Sequence, residues 1–251
     1  MSRILLEDIR IVLVEPLYGG NVGSVARAMA NFGLEKLTLV RPAEGIFEDP
    51  LLEPMARSNA MHILKNAAVT DDLAKALADT ELSLGFTART GKKRNDGIEL
   101  KPAVRAISEE FSGARIAAVF GCEDNGLSNE DLEKCHWMVN IPTHPTLTSL
   151  NLSQAVLLFA YELFSVAEET EGAQKPERKL ATVEELEGFY GHLGEVLDTI
   201  GFIKEDDPAR IMNAMRRIFS RRLPDPRDVH ILRGMLSKVV VALELAKKRK
   251  D

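Results

Sequence analysis

A β-branched, almost wholly apolar run from Ile9 to Val14 ends at Glu15-Pro16 and gives way to Tyr18-Gly19-Gly20-Asn21-Val22-Gly23-Ser24-Val25-Ala26-Arg27-Ala28-Met29. Such a run suits a strand covered on both faces, as in a parallel sheet. The glycines permit a tight turn, and from Val22 onward the apolar residues recur at helical spacing. Strand, glycine turn and helix in that order place free helix N–H groups, and their partial positive charge, at the end of a buried strand where an anion can sit. A dinucleotide fold is the obvious candidate. Its fingerprint is missed, because the spacing is G-G-x-x-G, and the next strand, Lys36 to Val40, ends at Arg41 where a ribose-binding acid would stand.

The alternation continues, which assigns the chain to the α/β class. The pattern predicts a helix over 55–64, a strand near 67–70, a helix over 71–78, a strand over 82–86, a helix over 102–110 and a strand over 115–120. Each later strand opens into a polar loop. Thr87 to Gly97 is basic and glycine-punctuated, with Arg89, Lys92, Lys93 and Arg94 suited to phosphates, although charge runs commonly just face water. Gly121 to Leu127 is a second glycine-bearing loop at a strand's C-terminal end, where ligands bind in open α/β sheets. Its acid, Glu123, can be read as a helix-start acid, a catalytic acid or a brace for neighbouring loops, and the brace is favoured. The third loop follows Ile141, where Pro142 and Pro145 impose irregular backbone before Thr148, Ser149 and Asn151 supply small polar groups at a helix start.

Composition bounds the function. A length of 251 residues allows a substantial core, and a net charge of -6 argues against a wholesale nucleic-acid coat while leaving room for a local basic face. Two cysteines, Cys122 and Cys135, form neither a disulfide framework nor a zinc site and suit a reducing cytoplasm. No histidine pair has metal spacing, so no metal is expected, and His144 alone is kept as a candidate contact to substrate. The longest apolar run is too short to cross a bilayer, so no membrane role is expected.

Three segments stand in order: Asn21-x-Gly23-x-x-x-Arg27, Phe120-Gly-x-Glu123-x-x-Gly126-Leu127 and Ser149-Leu-Asn151-x-Ser153-x-Ala155. Together they resemble the three motifs of the SpoU branch of the SPOUT methyltransferases. Further on, Phe189-Tyr-Gly-His-Leu193, Gly201-Phe-Ile203, Arg216-Arg-Ile-Phe219 and Ile231-Leu-Arg-Gly-Met235 resemble the TrmJ subgroup, which methylates the ribose 2′-oxygen of tRNA nucleotide 32. The resemblance implies a SPOUT-type parallel sheet with a deep C-terminal trefoil knot, S-adenosylmethionine as cofactor and a homodimer. It places cofactor contacts at Phe86, Thr87, Ala88, Gly121, Glu123, Ile141, Thr148, Ser149 and Leu150, and catalysis at Arg27, Asn21, Ser149 and Asn151. Arg27 is its functional arginine. A guanidinium is a poor base, so the expected role is to bind the phosphate beside the target ribose and stabilise the developing alkoxide.

Past the third motif, the polar, proline-bearing stretch 169–180 reads as a linker between a methyltransferase domain, 1–168, and a helical extension, 181–251. Helices are expected over 183–200, 208–222 and 226–248, and Arg216, Arg217, Arg221 and Arg222 are the expected tRNA contacts. Ribosomal RNA as substrate and a noncatalytic RNA-binding role are the alternatives to be weighed.

Overall fold

The computed structural model describes residues 6–88, 97–111, 113–169, 180–203, 208–220 and 223–247. Arg89, Lys92, Lys93, Arg94, Arg221 and Arg222 lie outside them. The chain divides into two compact units, 1–177 and 178–251.

In the first unit, strands β1 (Ile9–Val14), β2 (Lys36–Val40), β3 (Ala68–Thr70), β4 (Leu82–Phe86), β5 (Ile98–Glu99), β6 (Ile116–Phe120) and β7 (Trp137–Asn140) form one sheet in the order β3-β2-β1-β6-β4-β7-β5. Every pairing in it is parallel. Parallel strands require crossovers, and the helices supply them. They are α1 (Gly19–Asn31), α2 (Leu52–Ala56), α3 (Met61–Lys65), α4 (Leu73–Leu77), α5 (Leu100–Glu110), α6 (Asn129–Glu133) and α7 (Leu152–Glu169). Strands β4 and β6 are buried along their whole length, as near-continuous apolar runs predict.

The expected helix over 55–64 is corrected. Two short helices, α2 and α3, flank a 3-10 turn at Ser58–Ala60, and the break falls at Arg57, whose φ of 60° and ψ of 166° no helix can contain. The close approach of α2 to α1 depends on Gly23, where an added Cβ would lie 2.1 Å from the Leu52 carbonyl oxygen. Helix α7 packs against both α1 and α5. Beneath its first turns Phe86 stacks on Phe120 at 4.2 Å between centroids, and Phe159 of α7 meets Phe86 edge-on at 5.1 Å. Such pairs contribute about 0.5–1.5 kcal/mol each beyond burial, and they fix α7 relative to the ends of β4 and β6.

The second unit is helical, with α8 (Val183–Thr199), α9 (Pro208–Ser220) and α10 (Pro226–Lys247). Thr182 and Glu185 form a reciprocal capping box at the start of α8. Asp225 and Asp228 exchange bonds at the start of α10, the Asp228 N–H donating to Asp225 Oδ1 at 2.8 Å and the Asp225 N–H to Asp228 Oδ2 at 3.2 Å. Phe189, Tyr190 and Phe219 pack as one aromatic group between α8 and α9. Among the described residues no helix is long and apolar enough to cross a membrane.

Candidate active site

Because β1, β6, β4 and β7 are adjacent and parallel, the segments leaving their C-terminal ends emerge along one edge of the sheet. Those segments carry the three motifs. Sheet order reverses at β1, with β2 on one side and β6 on the other, and crevices at such switch points are the usual binding places of α/β sheets.

Side chains from all three motifs join there in one chain of hydrogen bonds. Asn21 donates from Nδ2 to Glu123 Oε1 at 2.8 Å, and the other Glu123 oxygen accepts the Leu17 N–H at 3.0 Å. Asn151 donates from Nδ2 to Asn21 Oδ1 at 3.2 Å. The Asn151 Oδ1 atom in turn accepts the Ser153 N–H at 2.9 Å and the Ser153 hydroxyl at 2.8 Å, so this residue also caps α7. Asn151 therefore both caps α7 and bonds across to the first motif. Glu123 is seen as a brace, with both oxygens accepting from the motif-one segment.

Helix α1 begins without a side-chain cap from Tyr18. Asp49 supplies it from thirty residues away, accepting the Gly19 N–H at 2.7 Å and the Leu51 N–H at 2.9 Å. These backbone bonds hold its carboxyl below the usual range, the Leu51 bond most strongly, against partial desolvation. Sequence reading missed Asp49; Asp49-Pro50 before an apolar run was the available signal. It also missed the link of Arg41 to Glu15 at 2.8 Å and to the buried Asp131 at 3.4 Å. The Glu15 hydrogen bond, opposed by desolvation, raises the already high Arg41 pKa. The position that would hold a ribose-binding acid in a dinucleotide site is thus a cation inside a salt-bridge network.

Arg27 lies one turn beyond Gly23, exposed, and its guanidinium has no hydrogen-bond or ion-pair partner among the described residues. Its charge is available to a ligand. The neighbouring loops present backbone. Gly121 tolerates no side chain, since a Cβ there would lie 2.1 Å from the Gly126 carbonyl carbon and the Leu127 nitrogen. Phe86 turns its ring into the core, while the Thr87 N–H donates to the Val139 carbonyl and the Thr87 carbonyl accepts from Asn140 Nδ2, both at 3.0 Å. Ala88 is exposed, Ile141 and Leu150 are half-buried, and Thr148 and Ser149 are exposed beside them. The third loop is shaped by Thr143, whose hydroxyl donates to the Thr148 carbonyl at 3.3 Å. His144 engages Thr146 Oγ1 at 2.8 Å.

The structure therefore brings Asn21, Glu123 and Asn151 together, leaves Arg27 without a side-chain partner among the described residues, and sets the loops after β4, β6 and β7 side by side. In the second unit Arg216 is engaged, chelating the Glu187 carboxylate and standing 4.5 Å over the Tyr190 ring. Arg217 is exposed without a side-chain partner among the described residues.

Residues 8–161 match the family model described as the SpoU rRNA methylase family, which spans more than half of the chain. The chain belongs to the SpoU methylase family. Residues 184–250 match a second model, the C-terminal domain of the tRNA methyltransferase TrmJ. Among similar members is the tRNA (cytidine/uridine-2′-O-)-methyltransferase TrmJ of Cronobacter sakazakii, 38% identical over 94% of this chain and 97% of its own length. The enzyme of the same name from Photorhabdus laumondii is 39% identical over 94% of this chain and 98% of its own length. The crystal structure of TrmJ from Z. mobilis ZM4 superposes with a TM-score of 0.77 at 32% identity, covering 92% of this chain and 98% of that one. The SpoU family is thus matched in sequence and in fold, and the similarity extends through the helical unit.

Proposed function

We propose that this SpoU-family chain transfers a methyl group from S-adenosylmethionine to a ribose 2′-hydroxyl of tRNA, at nucleotide 32 of the anticodon loop, on a cytidine or uridine. The observation that carries the reading is the Glu123–Asn21–Asn151 chain of hydrogen bonds, which ties the three motif segments together, with Arg27 of the first motif exposed and its guanidinium without a partner among the described residues. The tRNA-acting relatives, similar over 94% of the chain including the helical unit, favour tRNA over ribosomal RNA. An exposed Arg27 without a side-chain partner among the described residues, together with an intact Glu123 brace, favours an enzyme over a noncatalytic RNA binder.

The residues fit the cofactor. Phe86, Thr87, Ala88, Gly121, Ile141, Thr148, Ser149 and Leu150 would hold it through loops whose backbone a ligand can approach, with Gly121 admitting no side chain. S-adenosylmethionine supplies, when bound, a methyl group already activated on a positive sulfur. What remains for the protein is to align the ribose hydroxyl and stabilise the charge left as its proton departs. Arg27 binds the adjacent phosphate and stabilises the developing alkoxide. Asn21 and Asn151 hold each other and the loop ends, and Ser149, exposed next to Asn151, orients the hydroxyl. Glu123 keeps the first two loops in register.

Several further parts belong to this reading. The methyltransferase domain is assigned to 1–168, the linker to 169–180 and the tRNA-binding extension to 181–251; the division of compact units between Glu177 and Arg178 supports that linker. A second copy of the chain would cover the exposed apolar side chains of the first unit, among them Leu147, Leu157, Leu158 and Tyr161. The trefoil knot is taken with the family fold. Arg89, Lys92, Lys93, Arg94, Arg217, Arg221 and Arg222 are assigned to tRNA contact. Two free thiols and a tRNA substrate suit the cytoplasm.

The test is methyl transfer from labelled S-adenosylmethionine to unmodified tRNA and to the same tRNA with 2′-deoxyribose at nucleotide 32. Label on the first alone is the expected result. Equal labelling of both would move the target nucleotide, and no labelling despite cofactor binding would overturn tRNA methylation.

A further inference from the structure

We propose that Asp49 is a positioning residue for methyl transfer, setting the first turn of α1 so that the Asn21 amide meets both Glu123 and Asn151; this rests on the proposed RNA methylation. The start of a helix leaves N–H groups that need a cap, water or a ligand. Here the chain supplies its own anion. Asp49 Oδ2 accepts the Gly19 N–H at 2.7 Å and its Oδ1 accepts the Leu51 N–H at 2.9 Å, so one carboxylate ties the first residue of α1 to the entrance of α2. The glycine at 19 is what admits it. A Cβ there would lie 2.4 Å from Asp49 Cβ and 2.7 Å from the Ile46 carbonyl oxygen. Pro50 favours extended backbone at Asp49, which has φ -59° and ψ 121°, so the clasp is preset.

Asn21 stands in that same turn. Its N–H and that of Val22 close the turn on the Tyr18 carbonyl at 3.1 and 3.3 Å, and the Ser24 hydroxyl donates to the Gly20 carbonyl at 2.8 Å. The Asn21 side chain is bonded at both of its ends, Nδ2 donating to Glu123 Oε1 at 2.8 Å and Oδ1 accepting from Asn151 Nδ2 at 3.2 Å. The second bond is already long, so a shift of about 0.5 Å takes it beyond bonding distance. Leu17, just before the turn, donates its N–H to the other Glu123 oxygen at 3.0 Å, so both links to Glu123 depend on where α1 begins. Asp49 lies outside the three motifs, and it acts on them through the helix start that it fixes.

Asp49→Ala and Asp49→Asn, in the full-length chain, are each made alone and together with Asn21→Ala, and kcat for tRNA methylation is compared with thermal melting. Asp49→Ala is expected to melt lower, as loss of a cap does, and to lower kcat about tenfold at a temperature where the chain is fully folded. A misplacement of roughly 1 Å can cost about a hundredfold, so the expected loss is that of a smaller shift. Asparagine, which keeps one acceptor oxygen, should recover part of both, and its cycle decides the matter where alanine fails to fold. In the Asn21→Ala background neither Asp49 variant should lower kcat further, although the fall in melting temperature should persist. That separation marks a residue acting through Asn21, because a merely structural cap would shift melting in both backgrounds and kcat in neither. Wild-type kcat in both single variants, or an equal fall in kcat with and without Asn21, would overturn the assignment and leave the methylation reading intact. A wild-type chain that transfers no methyl group to tRNA would overturn both.

Discussion

The two units use similar polar residues for opposite ends. In the first, Asn21, Glu123 and Asn151 join loops that lie 102 and 130 residues apart in sequence, and the guanidinium of Arg27 has no partner among the described residues. In the second, the motif arginine Arg216 is committed to Glu187 and the Tyr190 ring, so it joins α9 to α8. One unit leaves its motif cation exposed and without a partner among the described residues, and the other uses its cation as packing. A resemblance in sequence does not distinguish the two uses, because it reports only that a residue type stands at a position.

The strongest way to break this contrast is Arg27→Ala. It should lower kcat by about a hundredfold or more, the usual effect of removing a donor aimed at developing negative charge, while S-adenosylmethionine affinity and melting temperature stay near wild type. Methylation at the wild-type rate would remove Arg27 from the site. Next in size is Glu123→Ala, which leaves the Asn21 amide and the Leu17 N–H without their shared acceptor. A drop of about thirtyfold in kcat/KM, near 2 kcal/mol, is expected together with a lower melting temperature. A brace acts on both readouts, whereas Arg27 acts on one. If Glu123→Ala altered neither, the loops would be held by something else.

Much of this was legible in the sequence, for reasons that also explain what was not. Strands such as Ile116–Phe120 are near-continuous apolar runs bounded by polar loops, so composition alone marks them. The motif residues could be located because family chemistry fixes residue types at set spacings. Their mutual bonds could not, since an Asn151-to-Asn21 contact across 130 residues leaves no local pattern. The break at Arg57 was hidden because 55–64 contains no glycine or proline and keeps helical periodicity. The two-residue strand Ile98–Glu99 is too short to show alternation. Arg216 and Arg217 look alike as neighbours on a basic helix, and only the fold shows that one faces Tyr190 and the other faces outward.

That last pair sharpens the comparison within the helical unit. Arg216→Ala should destabilise the unit by about 1–2 kcal/mol, summing a half-exposed ion pair and a cation–π contact. Arg217→Ala should leave melting unchanged and weaken tRNA binding with a shallower salt dependence. Melting curves and filter binding on both variants decide it. Reversed phenotypes would mean that Arg216 reaches RNA and that its pairing with Glu187 does not stabilise the helices.

The smallest effect concerns Tyr190 itself. Burial pushes its phenol up to about 12 from an ordinary value of 10.0, with the Arg216 cation pulling the other way and Glu187 adding to the rise. An acid with a raised folded pKa ionises first in the unfolded chain, so its contribution to stability is complete below about pH 10 and is lost as pH rises toward 12. At pH 11 the loss amounts to about 1.4 kcal/mol. Tyr190→Phe has no such proton to lose, and its stability should therefore fall less than wild type between pH 9.5 and 11.5. Paired melts of the two chains at those pH values measure the difference, with tyrosinate absorbance reporting when the phenol ionises. Parallel losses in both would show that Tyr190 is open to solvent, and the aromatic packing that engages Arg216 between α8 and α9 would then have to be abandoned.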